Sequence, residues 1–223
     1  MSLSLQVFGS SSSGNCTAVW NRHGAVLVDC GFAPRYIVRH LHAVGLPSTA
    51  VHTVLITHTH SDHVHDGALR MFVEAGATIV CTPSVRASLI SRFPGARTAE
   101  RRGLIYETGD ARAITGGFSV RAFAVPHDSD GGCSGFRITD DTGPKARSVV
   151  IATDLGFARE GLHDEFRDAD VVVVESPHDI AMLEHSGRPL FLINRIRRIG
   201  HLSNEQSSRF LGEVVERSAR PPQ

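Results

Sequence analysis

Residues 57–63 read THTHSDH, three histidines and an aspartate in seven positions, directly after the apolar run Val54-Leu55-Ile56. Two origins compete for such a segment: a polar loop that happens to hold histidine, or part of a metal site completed from elsewhere in the chain. In an extended segment side chains alternate sides, so His58 and His60 face one point and form a chelating pair. Asp62 and His63 follow in a turn, from which they reach back toward a second cation beside the first. The HxHxDH spacing is much rarer than a lone loop histidine, which weights the reading toward metal.

The run VHTVLIT (51–57) is apolar and rich in branched residues, the pattern of a buried strand. The ligand-rich segment therefore sits at a strand's carboxyl end, where open sheets commonly carry their chemistry. Upstream, LSLQVF (3–8), TAVW (17–20) and AVLVDC (25–30) read as strands, with NRHG as a hairpin turn. Ile37, Val38, Leu41 and Val44 then recur at helical spacing, and Gly45 supplies a stop. Downstream, Ala68, Leu69, Phe72 and Val73 mark an amphipathic helix ending near Gly76. ATIVCT (77–82) follows as a strand, and PSVRASLISRF (83–93) as a helix with proline where a helix tolerates it best.

GLIYET (103–108), FSVRAFAV (118–125), CSGFRIT (133–139) and SVVIAT (148–153) read as strands, VVVVES (171–176) as a further buried one, and 179–186 as a short helix. The last helix opens with Ser203 and carries Gln206 three residues on, a capping box that puts His201 just ahead of a helix start. With no repeat, linker or composition break, the expectation is an α/β fold in a single domain over 1–223, strand-rich in its core and flanked by helices.

Composition narrows the function classes. Hydrophobic residues make up 41% and charged residues 21% of the 223, as in ordinary soluble domains. No apolar run approaches the roughly 20 residues of a membrane span. The start lacks a basic segment followed by a long apolar one, so no secretory signal is expected and the expected location is the cytoplasm. Cys16, Cys30, Cys81 and Cys133 are scattered without CxxC pairing, which argues for reduced, buried thiols. With 23 basic and 23 acidic residues there is no global signature of a nucleic-acid binder. One local patch stands out: Arg188, Arg195, Arg197 and Arg198 precede His201 with no acidic residue between, although a solvated face is the commoner meaning of such a run.

A complete metal site needs further ligands, and the chain offers them at strand ends: His127 in FAVPHD, Asp154 in VIATDLG and His201 in IGHLSN. Singly, His127 reads equally as a core histidine, Asp154 as a turn residue and His201 as a staple for its helix. Together with THTHSDH they form one pattern, which resembles the metallo-β-lactamase superfamily of two-metal hydrolases on an αββα sandwich. The segments FGSSSSGN, VDCG, VPHD, ATDLG, ESPHD and GHLSNEQS are more narrowly similar to the YycJ/WalJ branch, whose members are DNA exonucleases. The resemblance implies a four-layer αββα sandwich, with His58, His60 and His127 on one divalent metal, Asp62, His63 and His201 on the other, and Asp154 bridging. Thr59 stands where the branch often has Glu, with its side chain expected to point away from the metals. HDSDGGCSGFRI is richer in glycine than the branch pattern.

His-dominated ligation suits zinc, and the carboxylates also admit manganese or iron. The implied activity is a two-metal phosphodiesterase, a 5′ to 3′ DNA exonuclease with a metal-bridging hydroxide as nucleophile. The alternative is a hydrolase of a small ester, thioester, lactone or cyclic phosphodiester. Asp62 is the expected catalytic residue that orients the nucleophile. His178 is a candidate protonated imidazole for phosphate or leaving group, and equally a solvent-bonded histidine at a helix start. Glu175 is a candidate partner of a metal-ligating histidine. Arg195, Arg197 and Arg198 suit a DNA backbone better than a neutral lactam or lactone. Backbone amides of Gly9–Asn15 could hold an oxyanion or brace the metal loop, while a serine-rich surface turn is the more frequent role.

Overall fold

The computed structural model describes residues 3–98, 104–105 and 111–222. Two sheets form. The first carries β1 (Ser4–Ser11), β2 (Gly14–Asn21), β3 (Gly24–Val28), β4 (Val51–Leu55), β5 (Thr78–Cys81) and β6 (Leu104–Ile105) in sequence order. The second has β7 (Ala111–Ile114), β8 (Phe118–Val125), β9 (Cys133–Asp140), β10 (Arg147–Ala152) and β11 (Val171–Val174), with β11 at one edge and β7 at the other. Hairpins make β1–β2–β3 antiparallel, and the crossovers through α1 (Pro34–Ala43) and α2 (Asp66–Glu74) make β3–β4–β5 parallel.

Strand alternation explains the layering. Val26 and Val28 of β3 meet Phe118, Val120 and Ala122 of β8 between the sheets, together with Leu55, Phe136, Ile138 and Ile151. The residues of opposite parity, Ala25 and Leu27, pack outward against Ile37 and Leu41 of α1 and Leu69 and Phe72 of α2. On the far side Phe123, Val125 and Val150 pack under Leu162 and Phe166 of α5 (Leu162–Phe166) and Phe210 and Val214 of α8 (Asn204–Arg217). Three apolar layers thus separate four layers of structure, the αββα sandwich expected.

Both cap signals of α8 are present: Ser203 Oγ accepts from Gln206 N at 3.2 Å and Gln206 Oε1 accepts from Ser203 N at 2.8 Å. α3 (Pro83–Arg92) begins with its proline, and all four cysteines are free and buried, the Cys81 thiol pushed up to about 12 by burial. Several expectations needed correction. The serine stretch is a tight hairpin, since β1 runs to Ser11 and β2 starts at Gly14. VVVVES is half-buried, because β11 lies at a sheet edge. Of GLIYET only Leu104–Ile105 falls within the described residues. Between α6 (Ile180–Glu184) and His201 stands a helix, α7 (Leu190–Arg195), that runs directly into a π-helical turn, Ile196–Gly200. Other short elements had also gone unread: β7, α4 (Pro94–Thr98), α5 and the 3-10 turn Ser48–Ala50.

Candidate metal centre

After Leu55 the chain leaves the first sheet, and its polar segment is held from below by the end of β3. Asp29, buried and at φ 61°, turns its carboxylate under the loop. It accepts from Thr57 N at 2.9 Å and Thr57 Oγ1 at 2.8 Å, and pairs with His63 Nδ1 at 2.7 Å. Backbone bonds close the seam: Cys30 N donates to His63 O at 3.0 Å and Asn15 N to Asp62 O at 2.7 Å. Gly31 is obligatory here, because a Cβ on it would lie 1.8 Å from the Asp62 carbonyl oxygen. The serine–glycine hairpin therefore braces the ligand loop, through both the backbone and the side chain of Asn15.

His58, His60 and His127 form one cluster, their donor atoms all within 4.8 Å of one another. The ring centroids of His58 and His60 are 4.5 Å apart, edge to face, so the two rings meet at one point as that spacing allows. His127 Nδ1 faces the Gly200 carbonyl at 2.8 Å, so it carries the proton and leaves the Nε2 lone pair toward His60, 3.4 Å away. His58 is fully buried, with Nδ1 against Thr57 Oγ1 at 3.0 Å, while its Nε2 has no hydrogen-bond partner among the described residues. A buried imidazole nitrogen left unpaired is costly unless something coordinates it. The donor set therefore fits a divalent cation.

His63 and Asp154 complete a second group with His58, and Asp154 belongs also to a third with Glu175 and His201. Asp154 Oδ2 lies 2.9 Å from His63 Nε2 and Oδ1 lies 3.5 Å from His201 Nδ1, so this carboxylate stands between the two halves. Its φ of 56° is unusual for a non-glycine residue, the kind of backbone strain that gathers at functional sites. Asp62 is peripheral: its Oδ2 is 3.6 Å from His63 Nε2 and accepts from Asn15 Nδ2 at 3.3 Å.

Glu175, at the exit of β11, organises the second-sheet half. Its Oε1 accepts from Leu155 N at 2.8 Å and Leu202 N at 2.9 Å, and its Oε2 from Asp154 N at 3.1 Å and His201 Nδ1 at 2.8 Å. That fixes His201 with Nε2 outward. A Cβ on Gly156 would come 2.3 Å from the Ile199 carbonyl oxygen, so only glycine lets the Asp154 loop and the π-helical turn touch. Between the sheets opens a cavity of about 230 Å³ with Asn15, Asp29, Thr153 and Glu175 in its walls.

Electrostatics divide the histidines. Burial holds His58 well below the usual imidazole value and lowers His60 and His127 too, leaving neutral rings with free lone pairs. For His63 burial is outweighed by the charge of Asp29 and the hydrogen bonds to Asp154 and Asp29, so its value rises. Burial would raise Asp154, but its hydrogen bond to His63 and that residue's charge hold it well below the carboxylate range. His201 rises because the Glu175 carboxylate overcomes its burial.

His178 is half-buried, and its backbone oxygen accepts from Asn204 N at 2.8 Å. Burial and then the neighbouring His201 lower its value, which favours a neutral ring and not the protonated one expected. The arginine patch is partly neutralised. Arg195 pairs with Asp128, Arg197 pairs with Glu184 at 2.7 Å, and Arg198 has no such partner among the described residues. Thr59 points away from the cluster, bonding Ser88 Oγ at 2.9 Å and Arg92 Nη1 at 3.2 Å. Asp29 and Arg92 are residues that sequence reasoning had given no role, and for Asn15 it had weighed the backbone amide alone, not the side chain that binds Asp62. VDCG and SSGN were visible as motifs, but an Asp or Asn after a strand reads first as a turn residue.

Comparison with known proteins agrees with this geometry. The chain is 27% identical over 204 residues to exodeoxyribonuclease WalJ of Streptococcus pneumoniae, covering 91% of this chain and 73% of that protein. It is 27% identical over 219 residues to exodeoxyribonuclease YycJ of Bacillus anthracis, covering 96% and 78%. The Zn²⁺-bound PqqB structure from Methylobacterium extorquens superposes with a TM-score of 0.72 at 16% identity, over 96% of this chain and 85% of that one, which speaks to fold alone. The profile of the beta-lactamase superfamily domain matches residues 25–221. With that span, two sheets flanked by helices, and a histidine–carboxylate cluster where the sheets meet, the chain belongs to the beta-lactamase superfamily and is a metal-dependent hydrolase of that fold.

Proposed function

We propose that the protein is a phosphodiesterase that holds two divalent cations and degrades DNA as an exonuclease, in the 5′ to 3′ direction. The observation that carries this reading is the gathering of His58, His60 and His127 in one group, with Asp154 reaching His63 through one carboxylate oxygen and His201 through the other. In it, the first three imidazoles would hold one cation, His63, His201 and Asp62 the other, and Asp154 would serve both. Bound there, zinc, or manganese or iron in its place, would supply Lewis acidity, lowering the pKa of water toward neutrality and offsetting charge on phosphate oxygens.

The chain's own groups do the rest. Asp29 and Glu175 keep Nδ1 of His63 and His201 occupied, so that each ring offers Nε2. The Asp62 carboxylate, held by Asn15, orients the attacking water. A neutral His178 donates its N–H to a phosphate or leaving-group oxygen. Arg198 takes a phosphate, while Arg195 and Arg197, tied to Asp128 and Glu184, position the segment that carries it. Nucleic acid as substrate draws support from the two exodeoxyribonuclease relatives and from guanidinium groups beside the centre.

The test is elemental analysis of the purified protein with a time course on duplex DNA labelled at its 5′ or 3′ end, run beside nitrocefin, a lactone and a thioester. Metal-dependent release of label from the 5′ end first supports the reading. Turnover of small esters alone ends it.

A further inference from the structure

The segment between α6 and the π-helical turn is exposed at every position from Glu184 to Phe191. It nonetheless carries large apolar side chains: Met182 is 75% exposed, Leu190 77% and Phe191 73%. Exposed aromatic and aliphatic groups at one place on a soluble protein mark a contact surface. What they contact is indicated by their neighbours. Arg188 lies three residues before Phe191, Arg198 seven after, and neither guanidinium has an ion-pair partner among the described residues.

This arm is anchored to the metal centre. Arg197 ties the π-helical turn to Glu184 of α6, Arg195 ties the end of α7 to Asp128, and the Gly200 carbonyl accepts from His127 Nδ1 at 2.8 Å. From Phe191 to Gly200 the helical path is about 13 Å at about 1.5 Å per residue. A stacked strand at about 3.4 Å per nucleotide covers that in about four nucleotides.

We infer that the α6–α7 arm is a stacking platform for unpaired nucleotides of the substrate, with Phe191 receiving a base, Arg188 a phosphate next to it and Arg198 a phosphate further along the strand toward the centre. An aromatic face flanked by free guanidinium groups is the chemistry by which single strands are held without sequence preference. This rests on the phosphodiesterase reading above and extends it to the substrate class, a strand with a single-stranded end.

The experiment compares kcat/KM of the metal-loaded enzyme on a single strand of about eight nucleotides, long enough to reach the arm, with that on a dinucleotide. The Phe191→Ala variant should lower the ratio of the two by roughly five- to thirty-fold, chiefly through KM on the longer strand. Phe191→Trp should retain it, and Val215→Ala, an exposed apolar change on α8, should leave it alone. Arg198→Ala should reduce the salt dependence of strand binding by about one phosphate contact. An unchanged ratio in Phe191→Ala, with DNA still degraded, overturns the platform and leaves the nuclease reading standing. Sedimentation showing a dimer that Phe191→Ala dissociates also overturns it, assigning the arm to a second copy of the chain. Hydrolysis of bis(p-nitrophenyl) phosphate with no action on either strand removes both readings together.

Discussion

Asp29 Oδ2 lies 2.7 Å from His63 Nδ1, with both side chains withdrawn from solvent. The pair spans the end of β3 and the end of the ligand loop, so the strand's exit dictates which ring nitrogen of His63 faces the centre. Asp29→Asn keeps the shape and loses the charge. Metal affinity should fall about 10- to 100-fold, as for other partners of ligating histidines, read by competition against a chelator, with an unchanged far-ultraviolet circular dichroism spectrum.

The raised value of His63 has a definite sign for stability. A histidine whose folded value exceeds its unfolded one stabilises fully below the unfolded value, 6.5, and loses that contribution as pH rises through the folded value. Asp154, held low, stabilises above its ordinary 3.8 and loses the contribution as pH falls through the depressed value. Chelator-treated protein should therefore melt at progressively lower temperature from about pH 6.5 upward. Metal binding should release protons, because the cation and the proton compete for Nε2 of His63. Thermal melts across pH and calorimetry in buffers of different ionisation enthalpy measure the two effects.

His60→Ala and His201→Ala should separate the two halves of the centre. Each should lose one equivalent of metal by elemental analysis and nearly all hydrolysis, with little change in fold. Asp62→Ala should abolish turnover while retaining more metal than either, since its carboxylate stands outside the close donor groups. Equal metal loss in all three would contradict that order.

Gly31→Ala and Gly156→Ala introduce a Cβ 1.8 Å from the Asp62 oxygen and 2.3 Å from the Ile199 oxygen, both backbone atoms that cannot swing aside. Destabilisation of about 1–3 kcal/mol is expected from such overpacking, with metal uptake impaired in both. Denaturant titration and metal stoichiometry provide the check.

Charge reversal should distinguish the two neighbouring arginines. Arg198→Glu should weaken DNA binding strongly at low salt and less at high salt. Arg197→Glu should act mainly by breaking the tie to Glu184, so that Glu184→Arg placed with it restores part of the loss. Fluorescence anisotropy across a salt series resolves both.

Much of this architecture was legible beforehand because period and punctuation agreed. Ala68, Leu69, Phe72 and Val73 occupy one helix face and are all buried, and Ser203 with Gln206 announced the start of α8. The clustered histidines were readable because HxHxDH has few other uses. What escaped the sequence was pairing at a distance. Nothing local says that Asn15 binds Asp62 or that Glu184 neutralises Arg197, since those partners are set by packing of separate elements. α7 escaped because Leu190–Ile193 is an unbroken apolar run with no helical period, in a helix of six residues.

Asp29 leaves the first sheet and Glu175 the second, and both line a cavity between them. The halves of the centre are therefore mounted on separate slabs, whose gap is filled by Val26, Leu55, Phe136 and Ile151. The girth of those four aliphatic and aromatic groups sets the spacing of the two slabs, and with it the calibre of the cavity that Asp29 and Glu175 line. Trimming one of them should change which cation is preferred, without altering a single coordinating atom.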